Sequence, residues 1–301
     1  MHLAVLIPCY NEAVTIAEVV RSFHVALPSA DIYVFDNNST DGTATVARDA
    51  GAAVFSERRQ GKGYVVQSMF RKVDAEIYIM VDGDGTYPVN SVNKLIEPIL
   101  HGEADMVVGS RLHPGSHSSF KAANLFGNKL IRMLLQLIFG VKLTDVLSGY
   151  RAFNRSFVKG IPIFGGGFEV ETELTIKALQ KGYRIEEIPV NLEDRPKGSY
   201  SKIHIVRDGF LILNTILALF RDTKPLTFFG IVGLLFMMAG VVTALGPYTI
   251  AGVTLVLIGV LFILSGLNLH TIVRRFQEFD HQLRILEAEQ DSRKKQDHES
   301  A

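Results

Sequence analysis

The sequence predicts an α/β domain with a mostly parallel sheet, followed by a hairpin of two transmembrane helices. Over residues 1–206, short β-rich apolar runs alternate with amphipathic stretches, which is the pattern of a parallel sheet covered by helices on both faces. After Lys224, 49 consecutive residues contain no Asp, Glu, Lys or Arg. Such a block is not typical of a wholly soluble protein.

The predicted strands are short, rich in β-branched and aromatic residues, and bounded by turn residues. They are residues 3–7, 32–35, 77–81 and 106–108. The predicted helices lie between and after them, at residues 13–26, 42–50, 62–73 and 89–100. Since strand and helix alternate, we expect the carboxyl ends of the strands to meet at one edge of the sheet.

Charge and cysteine content exclude several classes of protein. The 31 Lys and Arg residues balance 31 Asp and Glu residues, whereas a general nucleic-acid binder shows a basic excess. The single Cys9 excludes an intrachain disulfide and a cysteine-based zinc cluster. The nine histidines show no metal-ligand spacing, and no Gly-x-Ser-x-Gly motif is present.

The charge-free block divides at Gly246-Pro247-Tyr248 into two segments, about 226–245 and 249–269. About 20 helical residues cross the hydrocarbon core of a bilayer, so each segment is long enough to span it. Basic residues flank the block on both sides, and the turn between the segments carries none. By the positive-inside rule, we expect the N-terminal domain and both termini to be cytoplasmic. A buried hairpin in a soluble core is the alternative.

We therefore divide the chain into an α/β domain at 1–206, a juxtamembrane interfacial helix at 207–224, the spans within 225–273 and a charged cytoplasmic tail at 274–301. Residues 125–143 mix apolar and basic side chains and predict either a membrane-surface helix or an amphipathic core helix. The tail is expected to continue the second span as a helix, as a solvated extension or an oligomer contact.

Polar residues follow every predicted strand, which predicts a ligand site at that edge of the sheet. They are Asn11-Glu12, Asp36-Asn37-Asn38, Asp82-Gly83-Asp84 and Ser110-Arg111. Two carboxylates separated by one residue can hold a hard divalent cation that also binds phosphate oxygens. The alternative for Asp82 and Asp84 is an Asp-Gly turn without metal.

Other polar residues predict contacts to a nucleotide or phosphate. Asp36 is placed to accept hydrogen bonds from a base or ribose. Lys62 lies between two glycines and predicts a cation near phosphate, or else a plain turn at a helix start. Glu169, Glu171 and Glu173 either complement a helix dipole or contact a sugar.

Two later segments are dense in functional side chains, residues 144–151 and 195–202. Residues 195–224 carry six basic and two acidic side chains, which is typical of a patch that binds anionic lipid. Arg195 and Ser201-Lys202 flank a Gly-Ser-Tyr turn, and this spacing favours a phosphate cradle.

Six ordered motifs resemble those of a known family. Residues 7–12, 36–43 and 82–84 resemble the motifs of family-2 glycosyltransferases with the GT-A fold. Residues 109–111, 145–151 and 195–202 resemble the polyprenyl-phosphate branch, which includes dolichol-phosphate mannose synthases and bacterial undecaprenyl-phosphate glucosyltransferases. The resemblance covers about residues 3–206.

The resemblance implies a GT-A nucleotide-sugar glycosyltransferase domain that transfers a hexose, with inversion, from a UDP- or GDP-linked sugar to a polyprenyl phosphate at the bilayer. A homo-oligomer is a further expectation. It implies donor binding by Pro8, Tyr10, Asn11, Glu12, Asp36, Lys62 and Asp82. It implies Mg²⁺ or Mn²⁺ on Asp82 and Asp84, catalytic roles for Asp84 and Asp145, and acceptor-phosphate binding by Arg111, Arg151, Arg195, Ser201 and Lys202.

The sequence departs from the family pattern at two positions. The usual Asp-Asp-Gly is Asp36-Asn37-Asn38, and Thr86 stands where mannose synthases often have Gln. A processive polysaccharide synthase is one alternative, but its Gln-x-x-Arg-Trp motif is missing, since the chain has no tryptophan. The other is an inactive nucleotide-binding membrane scaffold, against which the Asp82/Asp84 pair argues.

Overall fold

The computed structural model describes residues 1–112, 122–140, 143–196, 198, 200, 202 and 205–299. The chain forms two compact units, Met1–Ile216 and Leu217–Ala301.

A seven-stranded sheet forms the centre of the first unit. Its strands are β1 (Leu3–Cys9), β2 (Ala30–Asp36), β3 (Ala53–Ser56), β4 (Ile77–Met80), β5 (Met106–Ser110), β6 (Arg151–Asn154) and β7 (Ile185–Pro189). They lie in the order β3-β2-β1-β4-β6-β5-β7. Every pairing is parallel except those of β6. The predicted mostly parallel sheet is confirmed.

The strand register brings the polar loops to one edge. Cys9 at the end of β1 lies opposite Asp36 at the end of β2, and Leu6 lies opposite Met80 of β4. Because β6 is antiparallel, its first residue, Arg151, lies opposite both Met80 and Val108 of β5. The loop before β6 therefore enters that strand at the same edge of the sheet from which the loops after β1, β2 and β4 leave.

Helices cover both faces of this sheet. They are α1 (Ile16–Ala26), α2 (Thr43–Asp49), α3 (Lys62–Lys72), α4 (Val92–Leu100), α6 (Arg155–Gly160) and α7 (Val170–Gln180). Two more helices, α5 (Ala122–Phe139) and α8 (Ile205–Thr223), follow β5 and β7 in the chain. Alternate residues of β1 pack into two cores: Val5 and Ile7 with α1 and α4, Ala4 and Leu6 with α3, α6 and α7. This alternation fixes which strand residues are buried on each face.

The second unit contains α9 (Pro225–Ala244) and α10 (Thr249–Glu299). Both are long and apolar enough to cross a membrane, and most of their apolar length is exposed. A Cβ atom added to Gly233 would lie 2.6 Å from the carbonyl oxygen of Gly259, and one on Gly240 would lie 2.6 Å from that of Gly252. These pairs show an antiparallel hairpin in which glycines allow close approach of the two backbones.

Candidate active site

Four carboxylates converge at the carboxyl edge of the sheet. The thiol of Cys9 is buried at the end of β1, and burial raises its pKa well above the ordinary value. The charges of Glu12, Asp36, Asp82 and Asp84 raise it further. These carboxylates come from the ends of three different strands, β1, β2 and β4. The structure therefore brings these strand-end residues close together, as the sequence predicts.

The turn that carries Asp82 and Asp84 is tightly fixed. A Cβ atom on Gly83 would lie 2.5 Å from Cys9 Sγ, so only glycine fits there without displacement. The Gly83 carbonyl accepts a hydrogen bond from Thr15 Oγ1 at 2.6 Å. Asp84 Oδ1 accepts bonds from the backbone N–H and hydroxyl of Thr86 at 3.1 and 2.7 Å. The carboxylate of Asp84 is thereby held at a defined position.

Lys62, at the start of α3, positions Asp82. Its ammonium group lies 2.6 Å from Asp82 Oδ1 and 2.5 Å from Glu171 Oε1 of α7. Burial by itself lowers the pKa of Lys62, but the two carboxylates outweigh burial and raise it above its ordinary value. The charged lysine therefore links Asp82 to α7. Sequence reasoning missed this role for Glu171, because nothing in the sequence relates residues so far apart.

The basic segment contacts the same carboxylates. Arg195 forms an ion pair with Asp84. Lys202 donates to Glu12 Oε1 at 2.7 Å and to the carbonyl oxygen of Asn11 at 2.9 Å. The residues expected at the donor and those expected at the acceptor are thus in direct contact. Ser201, also expected at the acceptor phosphate, lies outside the described residues.

Arg111 and Asp145 form a bidentate ion pair at the carboxyl edge of the sheet. Arg111 Nε and Nη2 donate to the two oxygens of Asp145 at 2.6 and 2.9 Å. Burial raises the pKa of Asp145, but the hydrogen bonds and charge of Arg111 outweigh burial and hold the pKa below its ordinary value. Glu187 of β7 accepts from the Asp145 backbone N–H at 2.8 Å. Asp145 is therefore a fully buried, ionised group that orients Arg111.

Arg151 requires a correction to the expectation that it binds the acceptor phosphate. Its side chain is fully buried. Its guanidinium donates to the carbonyl oxygens of Ser148 and Val146 at 2.9 and 2.6 Å, and to Thr175 Oγ1 at 3.0 Å. These bonds use the guanidinium to brace the loop before β6. In that loop, a Cβ atom on Gly149 would lie 2.6 Å from Asp82 Oδ2, so the loop closes against the aspartate.

One carboxylate oxygen of Asp36, at the end of β2, is bonded to the loop that follows, and the other is not. Asp36 Oδ2 accepts from the Ser39 backbone N–H at 3.3 Å. Its buried Oδ1 has no hydrogen-bond partner within the part of the chain that the structure describes, and a buried polar atom normally has one. A base or ribose donor would satisfy it.

Asn37 explains why the family's second acid is absent. Its amide donates to the carbonyl oxygens of Glu57 and Arg59 at 2.9 and 2.8 Å. Its carbonyl oxygen accepts from the Gly61 backbone N–H at 2.7 Å. A carboxylate could not donate the first two bonds, so the amide ties the loop after β2 to the start of α3.

The other residues expected to bind the nucleotide sugar, Asn11, Tyr10 and Pro8, lie at the end of β1 or directly after it. Asn11 has a φ of 53°, and its side-chain oxygen accepts from the Thr40 backbone N–H at 2.8 Å. Tyr10 is exposed and Pro8 is half-buried.

The donor set at Asp82 and Asp84 fits a hard divalent cation. No donor among the described residues bonds Asp82 Oδ2, and that carboxylate is partly exposed. Asp84 Oδ2 forms an ion pair with the guanidinium of Arg195, so a metal cation would compete with that guanidinium for the oxygen. No group of three His, Cys, Asp or Glu ligands occurs among the described residues. The two carboxylates thus suit Mg²⁺ or Mn²⁺, which take further oxygen ligands from phosphates and water.

Comparisons with known proteins identify the family. The Glycosyl transferase family 2 model matches residues 4–161. The chain is 34% identical over 245 residues to the glycosyltransferase AglJ of Haloferax volcanii, covering 81% of this chain and 79% of that protein. It is 28% identical to a dolichyl-phosphate hexose transferase of Haloferax volcanii, covering 64% and 83% of the two chains. It is 27% identical to an undecaprenyl-phosphate mannosyltransferase of Micrococcus luteus, covering 66% and 86%.

Solved structures agree on the fold. Glucosyl-3-phosphoglycerate synthase of Mycobacterium tuberculosis, in a complex with Mn²⁺, UDP and phosphoglyceric acid, superimposes with a TM-score of 0.60 at 22% identity. The match covers 73% of this chain and 78% of that one. The predicted GT-A-like architecture and the resemblance to family-2 enzymes are therefore confirmed. The chain belongs to glycosyl transferase family 2 and is a glycosyltransferase.

Proposed function

We propose that this enzyme transfers a hexosyl group, with inversion and with a divalent metal, from a UDP- or GDP-linked sugar to a membrane polyprenyl phosphate. The product is a polyprenyl-phosphate sugar. The observation that carries the proposal is the contact between the basic segment and the donor-edge carboxylates, through the pairs Arg195–Asp84 and Lys202–Glu12. Relatives named for dolichyl- and undecaprenyl-phosphate transfer support this acceptor class.

The donor lies across the strand ends in this proposal. Asp36 would offer its unpartnered oxygen to the base or ribose, and Asp82 and Asp84 would hold Mg²⁺ or Mn²⁺. The metal, when bound, stabilises the negative charge of the departing nucleoside diphosphate. Lys62 and Glu171 keep Asp82 in place as that charge develops.

The acceptor phosphate supplies its own nucleophile. A phosphate monoester has a second pKa of about 6 and is mostly dianionic at neutral pH, so the attacking oxygen carries no proton that must be removed. This agrees with Asp145 being committed to Arg111 rather than exposed as a base. Arg111, Arg195 and Lys202 are assigned to offset the repulsion between the acceptor phosphate and the donor diphosphate.

In this proposal the reaction takes place at the bilayer surface, because α9 and α10 are long and apolar enough to cross a membrane. The polyprenyl chain stays in the hydrocarbon core, so its phosphate lies at the headgroup level. The basic flanks of the hairpin favour a cytoplasmic catalytic domain with both termini on the same side.

The decisive experiment supplies membranes containing the enzyme with a panel of radiolabelled nucleotide sugars and extracts the lipid. We expect one hexose per lipid phosphate, and loss of nearly all transfer in excess EDTA and in Asp84→Ala. Asp105→Ala serves as the matched control, because Asp105 pairs with Arg184 just before β5, at the opposite edge of the sheet. Full activity in EDTA contradicts the metal role. Polymeric product indicates a polysaccharide synthase, and nucleotide binding without transfer indicates an inactive scaffold.

A further inference from the structure

Helix α10 continues far beyond the length needed to cross a membrane. It contains 51 residues, and about 20 suffice for the hydrocarbon core. At 1.5 Å per residue, the remainder extends roughly 45 Å. Apolar side chains on this remainder recur at alternating spacings of three and four residues: Leu269, Ile272, Phe276, Phe279, Leu283 and Leu286. That spacing is the a and d pattern of a coiled-coil seam.

The seam residues from Leu269 to Leu283 are exposed. Phe276 is 70% and Phe279 is 58% exposed, and Ile272 and Leu283 are also exposed. Large aromatic side chains on a solvent-facing helix are costly, since each exposes apolar area worth about 25 cal/mol per Å² when buried. Their regular spacing on one face indicates that a second helix covers them, because scattered exposure would show no period.

We propose that a second copy of this chain covers the seam, in a parallel two-stranded coiled coil over residues 269–286. The inference goes beyond the transfer reaction and rests only on the hairpin being embedded in a membrane. In that case α10 leaves the same membrane face in every copy, so two copies run parallel and start in register. Tethering in the plane of the membrane also raises their effective concentration.

The charges beside the seam match a parallel pair. With Phe276 at position a, Arg275 occupies position g and Asp280 occupies the following position e. In a parallel coil, the g residue of one helix faces the e residue of the next heptad on the other, so Arg275 faces Asp280 of the second copy. The apolar repeat ends at the next position a, which is Gln290.

Cysteine cross-linking in native membranes tests the seam. In a background with Cys9→Ala, Phe279→Cys places a thiol at position d, and Arg274→Cys places one at position f on the opposite side of the helix. Under copper-phenanthroline oxidation, we expect covalent dimers from Phe279→Cys to form at least ten times faster. Equal rates at the two positions, which indicate random collision, overturn the proposal.

A charge variant provides an independent measurement. Phe276→Asp combined with Phe279→Asp should convert a dimer to a monomer by mass photometry in nanodiscs, whereas Gln277→Asp at position b should remain dimeric. An unmodified protein that is monomeric overturns the proposal. So does a thiol at residue 279 that forms no dimer and is shielded from aqueous maleimide, since lipid then covers the face.

Discussion

Replacing Arg195 should strengthen metal binding and weaken use of the acceptor. Arg195 and a divalent cation compete for the carboxylate of Asp84. The side chains of the pair are 30% and 12% exposed, so the contact is partly buried, and a hydrogen bond between charged groups in such a setting contributes about 1.5–3 kcal/mol. Each 1.4 kcal/mol is about tenfold in affinity. Arg195→Ala should therefore tighten Mn²⁺ binding by about ten- to a hundredfold.

The carboxylate should stay in position when the arginine is removed. Thr86 holds Asp84 Oδ1 through two hydrogen bonds that do not involve Arg195. The variant therefore changes the charge beside Asp84 more than its geometry, and the tighter binding is attributable to the lost competitor. The same variant removes a cation assigned to the acceptor phosphate, so the apparent KM for polyprenyl phosphate should rise by a comparable factor.

Free Mn²⁺ measured by electron paramagnetic resonance, in the presence of UDP, gives the metal affinity directly. Arg195→Lys should fall between the two extremes, because lysine keeps the charge but not the planar guanidinium. Arg184→Ala breaks an Arg–Asp pair at the other edge of the sheet and should leave Mn²⁺ affinity unchanged. Weaker or equal Mn²⁺ binding in Arg195→Ala would refute the competition between the guanidinium and the metal.

Three further predictions concern topology, packing and pH. Tyr248→Cys, in a Cys9→Ala background, should react with an impermeant maleimide in intact cells; reaction only in broken cells contradicts the topology. Gly233→Leu should lower the melting temperature of the hairpin, because a Cβ atom there meets the backbone of α10, whereas a Cβ atom on Gly230 meets nothing within 4 Å; equal effects of Gly233→Leu and Gly230→Leu contradict the packing. Hydrogen bonds from Arg59 lower the pKa of Glu57 to about 2, against the opposing effect of burial. Its stabilising effect is present above its ordinary pKa and lost as pH falls towards 2, so Glu57→Gln should destabilise the protein at pH 7 by thermal melting and much less near pH 2.

Four strands of the sheet could be predicted from sequence, and three could not. β1, β2, β4 and β5 are runs of buried apolar residues, and each predicted segment overlaps its strand. β3 has no buried residue, β6 begins with the charged Arg151, and β7 contains two adjacent glutamates. Such segments carry too weak a period-two pattern to be separated from loops. They become strands because neighbouring strands pair with them.

The edge that carries the site was predictable, but its internal pairings were not. Strand-end polar residues follow from the topology of a parallel sheet. The pairing of Arg195 with Asp84 joins residues 111 positions apart, and no local pattern encodes it. Arg151 could not be placed correctly from its motif. The motif indicated a residue that binds the acceptor phosphate, whereas the structure shows that β6 packs inside the sheet and that the side chain of Arg151 is buried. The partner of Lys62 on α7 likewise depends on tertiary structure.

The close packing of Cys9 against Gly83 gives the protein an internal probe of its own opening. The thiolate is the form that reacts with alkylating agents and oxidants, and a buried thiol with a raised pKa supplies very little of it. Modification therefore requires the end of β1 to separate from the Asp82–Asp84 turn. Because Cys9 is the only cysteine of the chain, the rate of thiol modification of the unaltered protein measures how often that separation occurs. The same shielding protects the thiol at this edge of the sheet from oxidation for as long as the fold stays closed.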